Sequence, residues 1–228
     1  WRQYQADAVF NYVKSFNEKH NLNVTAGYAY YFRKEARLAA AGRGASTDLI
    51  PTLNASSVPV SVSSSITERS MQGIFARIGY DYKDKYLISV SARYDGASNL
   101  GTNNKWGFFP GVSLGWHVDK EKFWSFMPEN LMRLKLRASY GVNGNISGLG
   151  DYTAQGSYSV GSKYLGNAGI TMGTMANQDL SWEESKTFDI GTDISFFNNR
   201  LNFIFDYFNR TTDNLLTKSE ENEDPIDL

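Results

Sequence analysis

Charged side chains fall on one alternating set of positions in each of two stretches of this sequence: Arg133, Lys135 and Arg137 in one, and Asp189 and Asp193, on either side of Gly191, in the other. In an extended strand, successive side chains point to opposite sides, so each set lies on a single face. A basic row beside an acidic one pairs across neighbouring strands. Arg137 or Lys135 is therefore expected near Asp189 or Asp193. Arg93 and Asp95 repeat the spacing within one strand. Such groups order a polar wall or attract a polar ligand; they do not by themselves break bonds. The residues that bond-breaking would require are missing. There is no Cys, which excludes thiolate metal sites, disulfides and cysteine nucleophiles together. The two histidines, His20 and His117, have no partner at metal-ligand spacing. No Walker sequence, G-x-G-x-x-G or G-x-S-x-G elbow occurs. No catalytic residue, metal or cofactor is expected. Asp95, Asn99 and Asn103 recur at four-residue intervals and could cradle Ca²⁺, although local turn chemistry is the preferred reading.

The elements that place these groups are strands. Period-two alternation dominates the chain, and eight strands are expected, over residues 4–16, 22–32, 70–82, 86–95, 107–118, 131–142, 187–197 and 201–210. The connections alternate between short (17–21, 83–85, 198–200) and long (33–69, 96–106, 143–186), with 119–130 intermediate. In an up-and-down barrel successive connections fall at opposite ends, and outer-membrane barrels keep short turns on one side and long loops on the other. A soluble sandwich has no reason to keep that parity.

Three strands carry an apolar row closed at both ends by an aromatic. These run from Tyr86 to Tyr94, from Phe108 to Trp116 and from Phe188 to Phe196. Eight residues at about 3.3 Å each span roughly 26 Å, or roughly 19 Å across a membrane at a tilt near 45°. Aromatic rings favour the two membrane–water interfaces. These six aromatics are therefore expected to form a lipid-facing girdle, with Arg93, Arg133, Lys135, Arg137, Asp189 and Asp193 facing the lumen. Gly111, Ser113 and Gly115 leave the inner face of the fifth strand flat, with room for a close approach from within. The fold class is all-β: a transmembrane antiparallel up-and-down barrel.

Composition agrees. With 41% hydrophobic and 14% aromatic residues the chain is too apolar for disorder. A net charge of -1 gives no basic face for nucleic acid. The mean hydropathy of -0.43 would suit a soluble protein, but a barrel strand exposes only alternate residues to lipid. Among the connections, Arg37 to Gly42 suggests a helical turn, and Asp119 to Asn130 a short helix capped by Asp119 and stopped at Pro128. This second segment, with Phe123, Trp124 and Phe126, is expected to rest on the lipid interface or barrel rim. Loops 96–106 and 143–186 share one end. There Asn99, Asn103, Tyr152 and Tyr158 are the candidates for ligand contact, as hydrogen-bonding and stacking groups. Residues 211–228, including the acidic run Glu220 to Asp224, are expected to be a loop or tail.

An ordered series of short motifs carries a family resemblance over roughly residues 69–217. It comprises Tyr80-Asp81-Tyr82-Lys83-Asp84-Lys85-Tyr86-Leu87, Arg93-Tyr94-Asp95-Gly96-Ala97-Ser98, Asn103-Asn104-Lys105-Trp106-Gly107-Phe108-Phe109-Pro110, Ser113-Leu114-Gly115-Trp116, Leu134-Lys135-Leu136-Arg137-Ala138-Ser139-Tyr140-Gly141, Asn143-Gly144-Asn145, Leu180-Ser181-Trp182-Glu183, Phe197-Asn198-Asn199-Arg200-Leu201 and Asp206-Tyr207-Phe208. Together these resemble the SusC/RagA family of TonB-dependent outer-membrane transporters of Bacteroidota. The resemblance implies a barrel of about 22 strands, a plug domain through which the TonB complex acts, and a SusD-like surface lipoprotein closing as a lid over oligosaccharide or peptide. Neither a plug nor a TonB box is present, and residues 218–228 do not resemble a further strand. The whole chain, 1–228, is thus expected to be a central portion of one barrel domain of a cell outer membrane nutrient importer. The alternative is a small eight-stranded barrel with a structural or adhesive role.

Overall fold

A computed structural model describes every residue except 48, 51, 129–130, 161–162, 166 and 217–228. Along the chain run β1 (Arg2–Phe16), β2 (His20–Ala45), β3 (Ser56–Tyr82), β4 (Tyr86–Ala97), β5 (Trp106–His117) and β6 (Met132–Asn145). Four two-residue strands follow: β7 (Tyr158–Ser159), β8 (Lys163–Tyr164), β9 (Asn167–Ala168) and β10 (Thr171–Met172). The long strands β11 (Glu183–Phe196) and β12 (Leu201–Asp213) complete the order. The eight long strands form one antiparallel sheet in the sequence β1-β2-β3-β4-β5-β6-β11-β12, and β10 with β7 and β8 with β9 form two small ribbons. Neighbours in the sheet are neighbours along the chain, as an up-and-down wall requires. Its two edges, β1 and β12, do not pair with each other, so these strands do not close a barrel on their own.

The short connections are tight because the backbone turns through left-handed conformations. Asn17 and Glu18, Lys83 and Asp84, and Phe197 to Asn199 all have positive φ. Paired positive φ values match the twist of antiparallel strands. Asp81 anchors its turn by accepting from the Asp84 N–H at 2.7 Å.

Three expected features are corrected. The stretch 33–69 is not a single loop: β2 and β3 continue as a two-stranded ribbon, Leu38 opposite Ser64 and Ala40 opposite Val62, to a last pair at Ala45 and Ser56. The Ala-rich segment has helical propensity. A β-branched, Ser-rich partner offers it a complete ladder instead, so Arg37–Gly42 is strand rather than a helical turn. A register shift between Ala41 and Gly42 bends the ribbon, and Gly42 is needed there, since a Cβ would lie 2.7 Å from that of Ser56. The described part of the next connection, 119–128, is likewise not an α-helix. It holds two 3₁₀ turns, Val118–Lys120 and Lys122–Trp124, and Asp119 makes no capping bond. A segment this short cannot repay helix nucleation, and Glu121 is drawn sideways to the strands instead. Residues 211–213, expected in the tail, belong to β12; the acidic run lies outside the described residues.

Candidate functional site

The pleat aligns the rows across the whole sheet. Tyr86 faces Trp116, Tyr94 faces Phe108, Val112 faces Tyr140 and Tyr140 faces Phe188. At the turn end Phe196 pairs with Met132 and with Leu201. The apolar rows that the sequence marked in three strands are thus one continuous face, and Val90, Leu114 and Ile190 are exposed on it. Tyr94 stacks on Trp106 at one end, with centroids 4.9 Å apart. At the other, Tyr86 and Trp116 donate from Oη and Nε1 to the Glu121 carboxylate, which also takes Lys85 at 3.1 Å. The Tyr86 hydroxyl, then Lys85, hold Glu121 below the usual carboxylate range.

The opposite rows are polar and bound a hollow of about 720 Å³, with Asn21, Arg77, Ser89, Lys135, Arg137 and Asp189 among its walls. One hollow reached from β2 as well as β11 makes this the concave side of the sheet. Its centrepiece is Arg137. Nε donates to Asp193 Oδ1 at 3.0 Å, and Nη2 donates to Asp206 Oδ1 at 2.7 Å. Asp206 lies two strands away, reached over Gly191, which registers with both residues. A Cβ at Gly191 would stand 2.2 Å from Asp206 Oδ1 and 2.9 Å from the guanidinium, so any side chain there would push the two charged ends aside. Lys135, Arg133 and Asp189 share the face but are in no ion pair among the described residues. Arg93 pairs with Asp95 and lies 5.7 Å over the Phe75 ring.

At the long-connection end, 98–105 is clasped to Ile146 and to 177–182. Ala97, Leu100, Phe109, Ile146 and Trp182 form a buried cluster there. Trp182 Nε1 donates to the Lys105 carbonyl at 3.1 Å, and Gly101 N–H to the Leu180 carbonyl at 2.9 Å. Asn103 donates from Nδ2 to Asp179 Oδ1 at 2.8 Å rather than joining Asp95 and Asn99 in an oxygen cradle. Asn99 is wholly enclosed. The Tyr152 hydroxyl accepts from the Glu68 N–H at 2.9 Å, and the adjacent Asp151 takes Arg33 at 3.2 Å. Of the four residues singled out for ligand contact, Tyr158 alone projects freely, at 73% exposure in the β7–β10 ribbon. His20 meets the Tyr80 hydroxyl at 2.6 Å, and His117 stands 3.7 Å from Asp119.

Sequence reasoning missed Asp206, Asp179, Asp151 and Glu121. Only Asp206 lay within an expected strand, and its place beside Gly191 shows only in the sheet.

Comparison with known proteins adds an independent line. Residues 2–226 match the family model described as TonB dependent receptor-like, beta-barrel. The chain is 37% identical over 219 residues to TonB-dependent receptor P39 of Formosa agariphila, covering 93% of this chain and 20% of that protein. It is 31% identical over 156 residues to TonB-dependent receptor SusC of Bacteroides thetaiotaomicron, covering 66% of this chain and 16% of that one. Among solved structures, the RagAB peptide importer in its closed-closed state superposes with a TM-score of 0.82 at 27% identity, covering 92% of this chain and 23% of the other. The chain therefore spans about a fifth of the length of the curated relatives it matches.

Proposed function

The chain belongs to the TonB-dependent receptor-like β-barrel family, and from that premise we propose that it forms part of the wall of an outer-membrane nutrient importer. The observation that carries this reading is the continuity of the two faces: one apolar and aromatic-bounded over eight registered strands, the other polar and concave. In this reading Tyr86, Tyr94, Phe108, Trp116, Phe188 and Phe196 stand at the lipid interfaces, where rings with polar edges are favoured. Arg93, Arg133, Lys135, Arg137, Asp189 and Asp193 line the lumen. The short turns face the periplasm and the clasped loops the exterior.

The imported ligand is a bulky oligosaccharide or peptide, passed inward by a TonB-driven plug and covered from outside by a SusD-like lipoprotein. The chain's similarity to SusC and to the RagAB peptide importer supports this class. Loops 96–106 and 143–186 form the rim it crosses. Tyr158 and the Tyr152 ring meet the ligand there, while Asn99 and Asn103 set the shape of the loops beneath them. The small-barrel alternative has no support from the sheet, whose edge strands stay apart.

A charge-placement pair tests the wall. In the full-length protein, Val90→Arg should cost about 2–4 kcal/mol at the membrane midplane and deplete folded, heat-modifiable barrel from the outer membrane. Ser91→Arg on the opposite face should be tolerated. The reverse pattern would overturn the assignment of faces. Uptake is tested in the same strain with 146–180 shortened: transport of labelled oligosaccharide or peptide should fall, and unchanged transport would remove the rim from the pathway.

A further inference from the structure

The outer face holds a hollow that a plain barrel wall does not need. Ile88, Leu114, Leu136, Ala138 and Ile190 bound a depression of about 500 Å³ across β4, β5, β6 and β11. Such a volume falls within the range of about 300–1,000 Å³ typical of small-molecule sites. Its floor is low because Ala138 registers between Leu114 and Ile190, both longer. At the turn-end margin stand Tyr86 and Trp116, fixed by Glu121.

Beyond that margin the chain is aromatic and basic at once. Phe123 makes edge contact with Trp116 at 6.3 Å and is 60% exposed, and Phe126 is 70% exposed. Lys122 precedes Phe123 directly. Lys83 Nζ lies 5.1 Å over the Tyr82 ring, and Lys14 Nζ 4.9 Å over Phe16. Glu121 is occupied by Lys85, and Asp84 stands 3.7 Å from Lys120. That leaves Lys14, Lys19, Lys83, Lys122 and Arg200, with Arg133 and Lys135 on the concave face, without a carboxylate partner among the described residues. At the opposite end Arg33, Lys34, Arg69 and Lys186 each have one, though Arg2, Arg43, Lys105 and Arg210 do not. Long cationic side chains beside interfacial aromatics carry their charge to the level of lipid phosphates.

We propose that this hollow, together with the lysines beyond its turn-end margin, holds an anionic phospholipid of the leaflet at the turn end. One acyl chain lies against Ala138, and the headgroup phosphate meets Lys122 and Lys83. An apolar trough accepts a flexible chain, and the uncompensated cations select the headgroup charge. The inference rests on the reading of this face as lipid-facing.

The test uses the full-length protein, stripped of lipid in a neutral detergent, with retained lipid counted by native mass spectrometry. Phosphatidylglycerol should be retained at lower concentration than phosphatidylcholine. Lys83→Glu with Lys122→Glu should weaken phosphatidylglycerol by at least about five-fold per lysine and leave phosphatidylcholine nearly unchanged. Ala138→Phe fills the hollow and should abolish retention of both lipids. Equal retention of the two lipids by the wild type, or no effect of the lysine variants, overturns the proposal. So does a dimer without bound lipid that Ala138→Phe converts to monomer, which assigns the hollow to a second copy. Heat-modifiable gel mobility and insertion into neutral vesicles report separately on the barrel, so failure there would sink the reading of the face and not the lipid preference alone.

Discussion

Two long excursions leave the same end of the sheet and are held by different physics. The clasp of 98–105 with Ile146 and 177–182 encloses a small core, with Trp182 inserted edge-on against Phe109 at 5.2 Å and its Nε1 tied to the Lys105 carbonyl. The β2–β3 ribbon has no such interior. Leu38, Val60, Val62 and Ile66 are all exposed, and the backbone ladder with a few edge contacts, such as Lys34 to Glu68 at 2.6 Å, holds it. A loop becomes a fixed part of a wall when it finds something to bury. A hairpin that finds nothing can still be regular, because its hydrogen bonds are local.

The sharpest way to break this contrast is to empty the clasp. Trp182→Ala should cost about 3–5 kcal/mol of local stability, as for large buried aromatics. Hydrogen exchange at 98–105 and 177–182 should accelerate while ribbon amides 36–44 keep their rates. Equal acceleration in both would make them one cooperative unit. A milder cut is Gly101→Ala, whose Cβ would stand 2.1 Å from the Gln178 carbonyl oxygen. Forced apart in this way, the two loops should lose about 1–3 kcal/mol, read as faster proteolysis between residues 146 and 182.

Acid extends the comparison to the turn end. Because Glu121 is held below its ordinary value of 4.5, its contribution is complete above that pH and is lost as pH falls through the lower folded value. The clasp's hydrophobic core has no titrating member. Exchange in 118–124 should therefore rise on acidification below that range before exchange at Leu100 does, and Glu121→Gln should remove the pH step. The smallest effect is expected in the ribbon, where Val62→Ser should shift thermal stability by no more than about 0.5 kcal/mol. A larger loss would mean that the ribbon packs against something beyond these strands.

Much of the wall was legible because its rules are local. Alternation with period two depends on backbone geometry alone. It placed Arg93, Arg137, Asp189 and Asp193 on one face and Val90 and Leu114 on the other, as the registers have them. The parity of connection lengths gave the neighbour order, and adjacent opposite charges anticipated the Arg137–Asp193 contact. Local rules misled where a segment had two acceptable conformations. Arg37–Gly42 reads as helix until its partner strand is known, and 119–130 reads as helix until Glu121 is seen bonded across to Tyr86 and Trp116.

The sequence by itself thus determined strands, faces and order, each a property of short stretches of chain. The tertiary structure alone decided which distant groups meet. It enclosed Asn99, turned Asn103 toward Asp179, and carried Arg137 over Gly191 to Asp206. Those contacts join residues 69 to 76 positions apart. No periodicity encodes such a pairing; it forms only once the sheet has brought the two segments side by side.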